Sequence, residues 1–367
     1  MTPALGRADV VDVPDDLDEF NEFAMQARWG DGLPLVPPTP ERVERMAAVD
    51  GRAPDITIAR IPPLWGDATV ETVAVNAVMA GCRPEYFPFV VAAVAAAAKT
   101  EVNLLAAQAT THPCTLMVML NGPLVRQIDA NCGAGAFGSG NRPNATIGRA
   151  VRLALQNIGA AYAGDADRST LGSPAKYSFC FAENEAESPW SPFHVDRGFA
   201  LEDSTVTVCA TEPPHNIEDH ISTEPEALVG TLAYSIADIG SNNAYFGNAD
   251  LFVGVCPEHA RVLDRHGWTK QDLQQALFEQ ARIPYRHLLD RGSYGIAPSA
   301  KFAEASDGEL DVPMADAPDD FNIFCIGGAG LHSCWIPTLA AGNARSATVL
   351  VTTANGEPAR DLRDFAR

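Results

Sequence analysis

The chain has 367 residues, of which 46% are hydrophobic and 20% are charged, and its formal net charge is −21. This is the composition of a folded protein with a large core, which argues against wholesale disorder. The negative charge and the lack of a basic stripe argue against nucleic-acid binding. The sequence shows no secretory signal and no apolar run long enough to span a membrane, so we expect a soluble, cytoplasmic protein without a membrane partner.

The N-terminal half alternates helices with one long strand. Residues 1–30 form an acidic extension, and a proline-rich loop leads to a predicted helix that begins at Pro40 with Thr39 as its cap. The runs "ATVETVAVNAVMAGC" and "RPEYFPFVVAAVAAAAKT" predict two further helices. The apolar run "TLMVML" predicts a buried strand, and a glycine-rich loop then leads to a helix for which Asn144 is a candidate cap.

The C-terminal half continues in the same style. The runs "STVTVCAT", "LFVGVCP", "NIFCIGGAG" and "SATVLVTTA" predict strands, and "EPEALVGTLAYSIADIG", "PEHARVLDRHG" and "TKQDLQQALFEQARI" predict helices. This alternation predicts an α/β fold with layered αβα architecture, either as two α/β halves (residues 31–175 and 176–367) or as one continuous domain. No repeat of fixed period is visible. The alanine-rich helices can pack within one subunit or across a symmetric interface, so the sequence does not decide between a monomer and a homodimer.

Eight cysteines occur without a Cys-x-x-Cys pair, which predicts free thiols and no zinc knuckle. Cys209 and Cys256 lie in predicted strands, so we expect them in the core. In "TTHPC", His112 and Cys114 are a candidate proton carrier and nucleophile, because an imidazolium near a thiol favours the thiolate. The alternative is that the two side chains share a face of an extended chain without touching.

Residues 176–198, "KYSFCFAENEAESPWSPFHVDRG", follow neither the helix nor the strand period for most of their length. Cys180 is a second candidate nucleophile. Glu183 and Glu185 share a side if the chain is extended, and in a close carboxylate pair one group can act as acid while the other acts as base. His194 is a candidate for proton transfer or substrate binding. The alternative interpretation is a solvated surface loop.

Two glycine-rich segments are candidate ligand loops. "NCGAGAFGSGN" contains G-x-G-x-x-G but does not directly follow a strand, so it is a weak dinucleotide motif. We expect Gly133, Gly135 and Asn144 to bind a small polar or anionic substrate instead, with a plain structural turn as the alternative.

The second segment, "IGGAGLHSCW", follows a predicted strand. The amides of Gly328 and Gly330 are candidates for stabilising an oxyanion. Ser333 is a candidate substrate contact and His332 a candidate proton carrier. A tight strand-to-helix turn is the alternative.

A third segment, "EPPHNIEDH", combines imidazole and carboxylate groups after a predicted strand. His215, Asp219 and His220 are therefore candidate ligands for a divalent metal. Capping and surface hydrogen bonds are the alternative roles. No other cofactor is indicated.

Several long blocks carry a family resemblance, among them "DGLPLVPPTPERVERM", "NRPNATIGRAVRLALQNIG" and "KYSFCFAENEAESPWSPFHVDRGF". The chain resembles a family of uncharacterised bacterial proteins associated with short proteins that carry a UGSC motif of selenocysteine or cysteine. The resemblance implies thiol or selenol chemistry, with a small thiol or selenol protein as redox partner. "IGGAGLHSCW" is similar to the pattern G-x-G-x-U-x-S-C, but His332 stands where the reactive residue would be.

These observations predict an enzyme that acts on a small polar or anionic metabolite. A lyase or hydrolase that uses a cysteine with carboxylate and histidine help fits the residues best. A thiol-linked redox component and a metal-dependent enzyme using His215 and His220 are the alternatives. The prediction requires that "THPC", both glycine-rich segments and residues 180–194 converge on one pocket.

Overall fold

The computed structural model describes residues 8–289, 291–293, 302 and 310–365. The helices are α1 (Leu17–Gln26), α2 (Pro40–Ala48), α3 (Val70–Ala80), α4 (Phe87–Ala97), α5 (Leu104–Gln108), α6 (Pro123–Gln127), α7 (Arg142–Gly159), α8 (Phe193–Asp196), α9 (Pro225–Ile236), α10 (Pro257–Arg265), α11 (Lys270–Gln280) and α12 (Tyr285–Leu288). The strands are β1 (Thr57–Ile61), β2 (Gly66–Thr69), β3 (Thr115–Asn121), β4 (Cys180–Ala182), β5 (Thr205–Thr211), β6 (His215–Glu218), β7 (Leu251–Val255), β8 (Arg282–Pro284), β9 (Asp311–Pro313), β10 (Phe321–Cys325), β11 (His332–Ile336) and β12 (Ala347–Leu350).

Two four-stranded sheets form the centre of the molecule. The first sheet has the order β12-β5-β3-β4 and the second has the order β10-β7-β11-β6. In the first sheet β3 pairs in parallel with β4, and in the second sheet β7 pairs in parallel with β10. On their other sides, β3 pairs antiparallel with β5 and β7 pairs antiparallel with β11. The two sheets are therefore built to one plan.

One outermost strand of each sheet follows, in the chain, a strand of the other sheet. β6 follows β5 in the sequence but pairs with β11 in the second sheet. β12 follows β11 but pairs with β5 in the first sheet. A bridge between Thr211 and Thr338 marks the place where the two chain segments cross. The two sheets thus exchange one strand each.

Apolar side chains on both faces of these strands define the layers. One core joins the outer face of the first sheet to α3, α4 and α7, and another joins the outer face of the second sheet to α9, α10 and α11. A third core lies between the sheets and includes Met117, Met119, Phe181, Phe252 and Phe324. Strands β3, β5, β7 and β10 are buried on both faces, which explains the apolar runs of β3 and β7.

The α/β class predicted from the sequence is confirmed, and the layers run helix–sheet–sheet–helix. Helix α7 begins after Asn141, whose side chain accepts a hydrogen bond from the amide of Asn144, so Asn144 is not the cap. Helix α2 begins at Pro40 as predicted, but the Thr39 side chain makes no capping hydrogen bond. Among the described residues, no helix is long and apolar enough to cross a bilayer.

The predicted boundary at residue 176 falls between β3 and β4, which are neighbours in one sheet. The first sheet takes β3 from residues 31–175 and β4, β5 and β12 from residues 176–367, so the two predicted halves share one structural unit. The acidic N-terminal segment also belongs to it, because Phe20 and Ala24 of α1 are buried in the first core.

Candidate functional site

The carboxyl ends of the parallel strands β3 and β4 meet at one edge of the first sheet and carry a cluster of polar side chains. Asn121 is the last residue of β3, and Glu183 and Glu185 follow β4. The Asn121 amide donates to Glu183 Oε2 at 2.5 Å and to Glu185 Oε1 at 3.1 Å. One amide therefore joins the two carboxylates, and the pairing predicted from the sequence is present.

Glu183 is the buried member of this pair, with 4% of its surface exposed. The backbone amide of Phe193 donates to its Oε2 at 2.7 Å, and that of Cys325 approaches Oε1 at 3.4 Å. Burial raises the pKa of Glu183 to about 7, although the Lys270 charge and these hydrogen bonds oppose the rise. Its protonation therefore changes near neutral pH, as a general acid or base requires.

Glu185 is the outer member of the pair. Its Oε1 accepts a 2.7 Å hydrogen bond from the Gly122 amide, and its Oε2 lies 3.8 Å from the Arg126 guanidinium. Gly122 has a φ of 93°, and a Cβ there would collide with the carbonyl oxygen of Asp203, so only glycine fits this turn. The turn therefore places the Gly122 amide and the Arg126 guanidinium next to the Glu185 carboxylate.

His194 lies behind Glu185 and is fully buried in α8. Its Nδ1 is 3.8 Å from Glu185 Oε1, and neither ring nitrogen has a hydrogen-bond partner among the described residues. The prediction that His194 contacts substrate is wrong for this structure, because the ring is sealed from solvent.

An open cleft of about 600 Å³ lies beside the carboxylate pair. Arg126, Asn131, Cys132, Ser139 and Asn141 are among the residues that line it. This is the size range of sites for small metabolites. Arg126 connects the cleft to the carboxylate pair, because it lines the cleft and lies 3.8 Å from Glu185 Oε2.

Cys132, which the sequence did not single out, is the most accessible of the eight cysteines, since the other seven are buried. Burial raises the pKa of its thiol, and the nearby charges of Glu185 and Glu187 add to the increase. The thiol is therefore accessible but disfavoured as a thiolate.

The glycine-rich loop is held by side chains rather than open to an anion. Asn144 is buried and bonds the loop in both directions, accepting from the Asn131 amide and donating to the carbonyl oxygens of Asn131 and Ala136. The Gly133 amide donates to Asn131 Oδ1 at 3.0 Å. Asn144 and Gly133 therefore shape the loop, and their predicted substrate contacts are not supported. Gly135 is exposed with a φ of 71°, as a turn residue.

Three of the four predicted segments converge. The amide of Asn184 donates to the Cys325 carbonyl at 2.8 Å, and the amide of Gly327 donates to the Cys132 carbonyl at 2.9 Å. Gly328 packs on Ala134, since a Cβ on Gly328 would lie 2.8 Å from that residue. The glycine-rich loop, the segment after β4 and the turn after β10 therefore form one cluster at the carboxyl ends of β3, β4 and β10.

The predicted oxyanion site is not formed. The amide of Gly330 donates to the Glu258 carboxylate at 2.6 Å, so it is already occupied by an anionic group. Gly328 is half-buried, and Ala134 lies directly against it. These glycines allow two loops to approach each other closely.

The predicted cysteine nucleophiles are wrong, because both thiols lie in the first core. Cys114 is 1% and Cys180 is 5% exposed. Burial raises the pKa of Cys114 to about 12 and that of Cys180 even further above its usual value. Cys114 lines only a small cavity of about 20 Å³, which holds one water at most.

His112 lies at the opposite end of β3 from the carboxylate pair. Its Nε2 is 2.9 Å from Glu212 Oε1, and its backbone carbonyl accepts from Ser169 Oγ. The prediction that "THPC" joins the pocket is wrong, since the whole length of β3 separates the two places. His112 therefore contacts Glu212 near the start of β3 and takes no part in the carboxylate cluster.

Ser333 belongs to a buried network at the start of α10. Its hydroxyl accepts from the Cys256 amide at 3.1 Å and bonds His259 Nδ1 at 2.7 Å. Burial alone would raise the pKa of the Cys256 thiol, but the adjacent His259 lowers it below its usual value. Ser333 is 3% exposed, so it does not contact substrate as predicted.

The predicted metal ligands separate into two groups. The His215 ring faces Trp335, and the Asp219 carboxylate accepts from Ser222 and Thr231, so neither joins His220. His220 instead meets Glu218 and His332, and the candidate ligand atoms of these residues all lie within 4.8 Å of one another. His332 was predicted as a proton carrier and stands at a different place from the carboxylate pair.

Comparison of the chain with models of protein families, with curated proteins and with solved structures finds no match. The resemblance to the family associated with UGSC-motif proteins therefore stays a prediction. The position of the cleft rests on geometry alone. Asn121 and Arg126 were missed in the sequence, although an Asn-Gly-Pro turn at the carboxyl end of a strand is a recognisable place for ligand-binding groups.

Proposed function

We propose that the chain is an acid–base enzyme, of the lyase type, that acts on a small anionic metabolite in the cleft lined by Arg126 and Cys132. The observation that carries this proposal is the carboxylate pair beside an open cleft, with the pKa of Glu183 raised to about 7. Buried carboxyl groups with shifted pKa values cluster at functional sites.

Each group has a distinct role in this proposal. Glu185, next to Arg126, is the group that exchanges a proton with the substrate. Glu183 is linked to it through Asn121 and can hold a proton near neutral pH, because burial disfavours its charged form and the neighbouring Glu185 adds to the effect. The Arg126 guanidinium, 68% exposed, binds an anionic group of the substrate.

Lyase chemistry fits better than a cysteine hydrolase. Cys114 and Cys180, the nucleophiles predicted from the sequence, are buried in the core. The accessible thiol, Cys132, has a raised pKa, which disfavours a thiolate. Proton removal and return by carboxylates needs no nucleophile.

Deuterium uptake tests this function. The purified protein is incubated in heavy water with a panel of small hydroxy, amino and unsaturated carboxylic acids, and NMR follows the loss of proton signal on carbon and the loss of water or ammonia. We expect at least one compound to react. Glu185→Gln should lower the rate by about 100-fold or more, the usual contribution of a general acid–base group.

Matched variants distinguish catalysis from binding. Arg126→Gln should weaken substrate binding and leave the bound substrate reactive, whereas Glu44→Gln, on the exposed face of α2, should change neither. Cys132→Ser should keep most of the activity. Full turnover in Glu183→Gln and Glu185→Gln together, or loss of turnover in Cys132→Ser alone, would contradict the proposed mechanism.

A further inference from the structure

We propose that Glu218, His220 and His332 form a binding site for a divalent metal ion at the exposed edge of the second sheet, and that zinc is the metal that fits it best. The site stands apart from the carboxylate pair and goes beyond the proposed function. It uses two imidazoles and one carboxylate, a ligand set that suits zinc and other first-row metals better than calcium or magnesium.

The distances between the ligand atoms match a metal site. His220 Nε2 lies 3.4 Å from His332 Nε2 and 3.4 Å from Glu218 Oε1. Two ligand atoms bound to a tetrahedral zinc at about 2.0–2.1 Å are about 3.4 Å apart. Both distances from His220 Nε2 therefore match tetrahedral zinc, and all three ligand atoms lie within 4.8 Å of one another.

The hydrogen bond at Nδ1 of His332 leaves its Nε2 as the nitrogen that can bind the metal. His332 Nδ1 lies 3.1 Å from the side-chain oxygen of Asn216, which can only accept. Nδ1 therefore carries the hydrogen, and the lone pair is on Nε2, which faces His220. Metal-binding histidines are usually fixed by a hydrogen bond of this kind.

The backbone holds the ligands in place. Glu218 and His332 are register partners in the antiparallel pair β6–β11, so their side chains are cross-strand neighbours. The pairing continues one step further, where the Asp219 amide donates to the Leu331 carbonyl. His220 follows directly, so its backbone is positioned by that step.

Asp219 fixes the turn that carries His220. Its carboxylate accepts from the amides of Ile221 and Ser222 and from the Thr231 hydroxyl. Its carbonyl oxygen lies 2.9 Å from Nε2 of His259, a fully buried ring. Because these contacts fix the turn, little ordering is needed when an ion binds.

The site is open to solvent on one side. The side chains of Glu218 and His220 are 63% and 52% exposed. Three protein ligands leave a fourth tetrahedral position for water or a small solute, as in zinc sites that take part in chemistry. A bare hydrogen bond between the two imidazoles is the alternative explanation of their contact, and it predicts no metal affinity.

Zinc titration tests this proposal directly. The full-length protein is stripped with a chelator, and zinc is added in a calorimeter. We expect one equivalent to bind, with His220→Ala and His332→Ala weakening the affinity by at least about 100-fold and Asn216→Ala by about 10- to 100-fold, the usual cost of losing a supporting hydrogen bond. Cobalt bound at the same site should show the strong visible absorption of tetrahedral coordination.

The control is His215→Ala, since this exposed histidine lies on the same strand but its ring faces Trp335. It should keep the full affinity, and circular dichroism should show that every variant folds. Failure of zinc to saturate the protein at micromolar concentrations would overturn the proposal. Binding that survives His332→Ala, or that is lost in Cys132→Ser, would also overturn it by placing the metal elsewhere.

Discussion

Burial acts on the acids and the thiols of this chain in the same direction. It raises the pKa of Glu183 to about 7 and that of Cys114 to about 12. The two changes have opposite functional meaning, because a carboxyl at about 7 can exchange protons while a thiol at about 12 is inert. Cys256 departs from this trend, since His259 lowers its pKa despite burial.

Glu183 should make stability depend on pH in a definite sense. Its pKa is raised in the folded state, so the stabilising effect of its proton is complete below about pH 4.5 and is lost as the pH rises to about 7. A difference between 4.5 and about 7 corresponds to roughly 3 kcal/mol at about 1.36 kcal/mol per unit.

Urea unfolding at several pH values measures this effect. Glu183→Gln carries no charge, so its unfolding free energy relative to the native chain should increase by up to about 3 kcal/mol between about pH 5 and about pH 8. The exposed Glu44→Gln should show no such trend. A constant difference between Glu183→Gln and the native chain across this range would disprove the raised pKa.

The carboxylate pair could be predicted at this scale, but the state of the cysteines could not. Glu183 and Glu185 are two positions apart, and the strand period places them on one side. Cys180 belongs to the same segment, yet it faces α7 and the first core. Which face of a short strand is covered depends on helices distant in sequence, so the local pattern does not reveal it.

Among the elements, helix α7 illustrates how closely helix and sheet approach. A Cβ on Gly148 would lie 2.9 Å from the amide nitrogen of Phe179 and closer still to the Ser178 hydroxyl. Gly230, in the interior of α9, has nothing within 4 Å of the same position. A glycine-to-alanine substitution should therefore have opposite effects on stability in the two helices.

Gly148→Ala should destabilise the protein by about 1–3 kcal/mol, the usual cost of overpacking, because α7 must move away from β4. Gly230→Ala should stabilise it by about 0.5–1 kcal/mol through the lower backbone entropy of alanine in the unfolded chain. Thermal and urea unfolding of both variants provide the comparison. Equal effects of the two changes would show that the contact of α7 with β4 is not tight.

The long elements were predictable and the short strands were not. The helical period of α7 and the apolar length of β3 and β5 are visible in the sequence. β4 has three residues and β6 has four, and "HNIE" in β6 contains one apolar residue. Such strands form because a neighbouring edge accepts their backbone hydrogen bonds, a condition that no local pattern records.

At the scale of the whole molecule, the strand exchange should couple the two sheets. β6 completes the second sheet but is tied to β5, and β12 completes the first sheet but is tied to β11. Opening either sheet therefore removes a strand anchored in the other, and the third core between the sheets is lost with it.

We expect one cooperative unfolding transition for both sheets. In urea, the change in tryptophan fluorescence should coincide with the change in far-UV circular dichroism. Hydrogen exchange of peptides from β3 and β7 should report the same opening free energy. A transition in which β7 exchanges while β3 stays protected would show that the sheets open independently.

The exchange also bears on synthesis of the chain at the ribosome. The first sheet gains its last strand only when Ala347–Leu350 has left the exit tunnel, although its other three strands have emerged by Thr211. Until then the nascent polypeptide has β5 as an uncovered edge, a surface on which foreign strands can add. A product truncated before Ala347 therefore lacks β12 and keeps β5 as an uncovered edge, so we expect it to need chaperones or to be degraded.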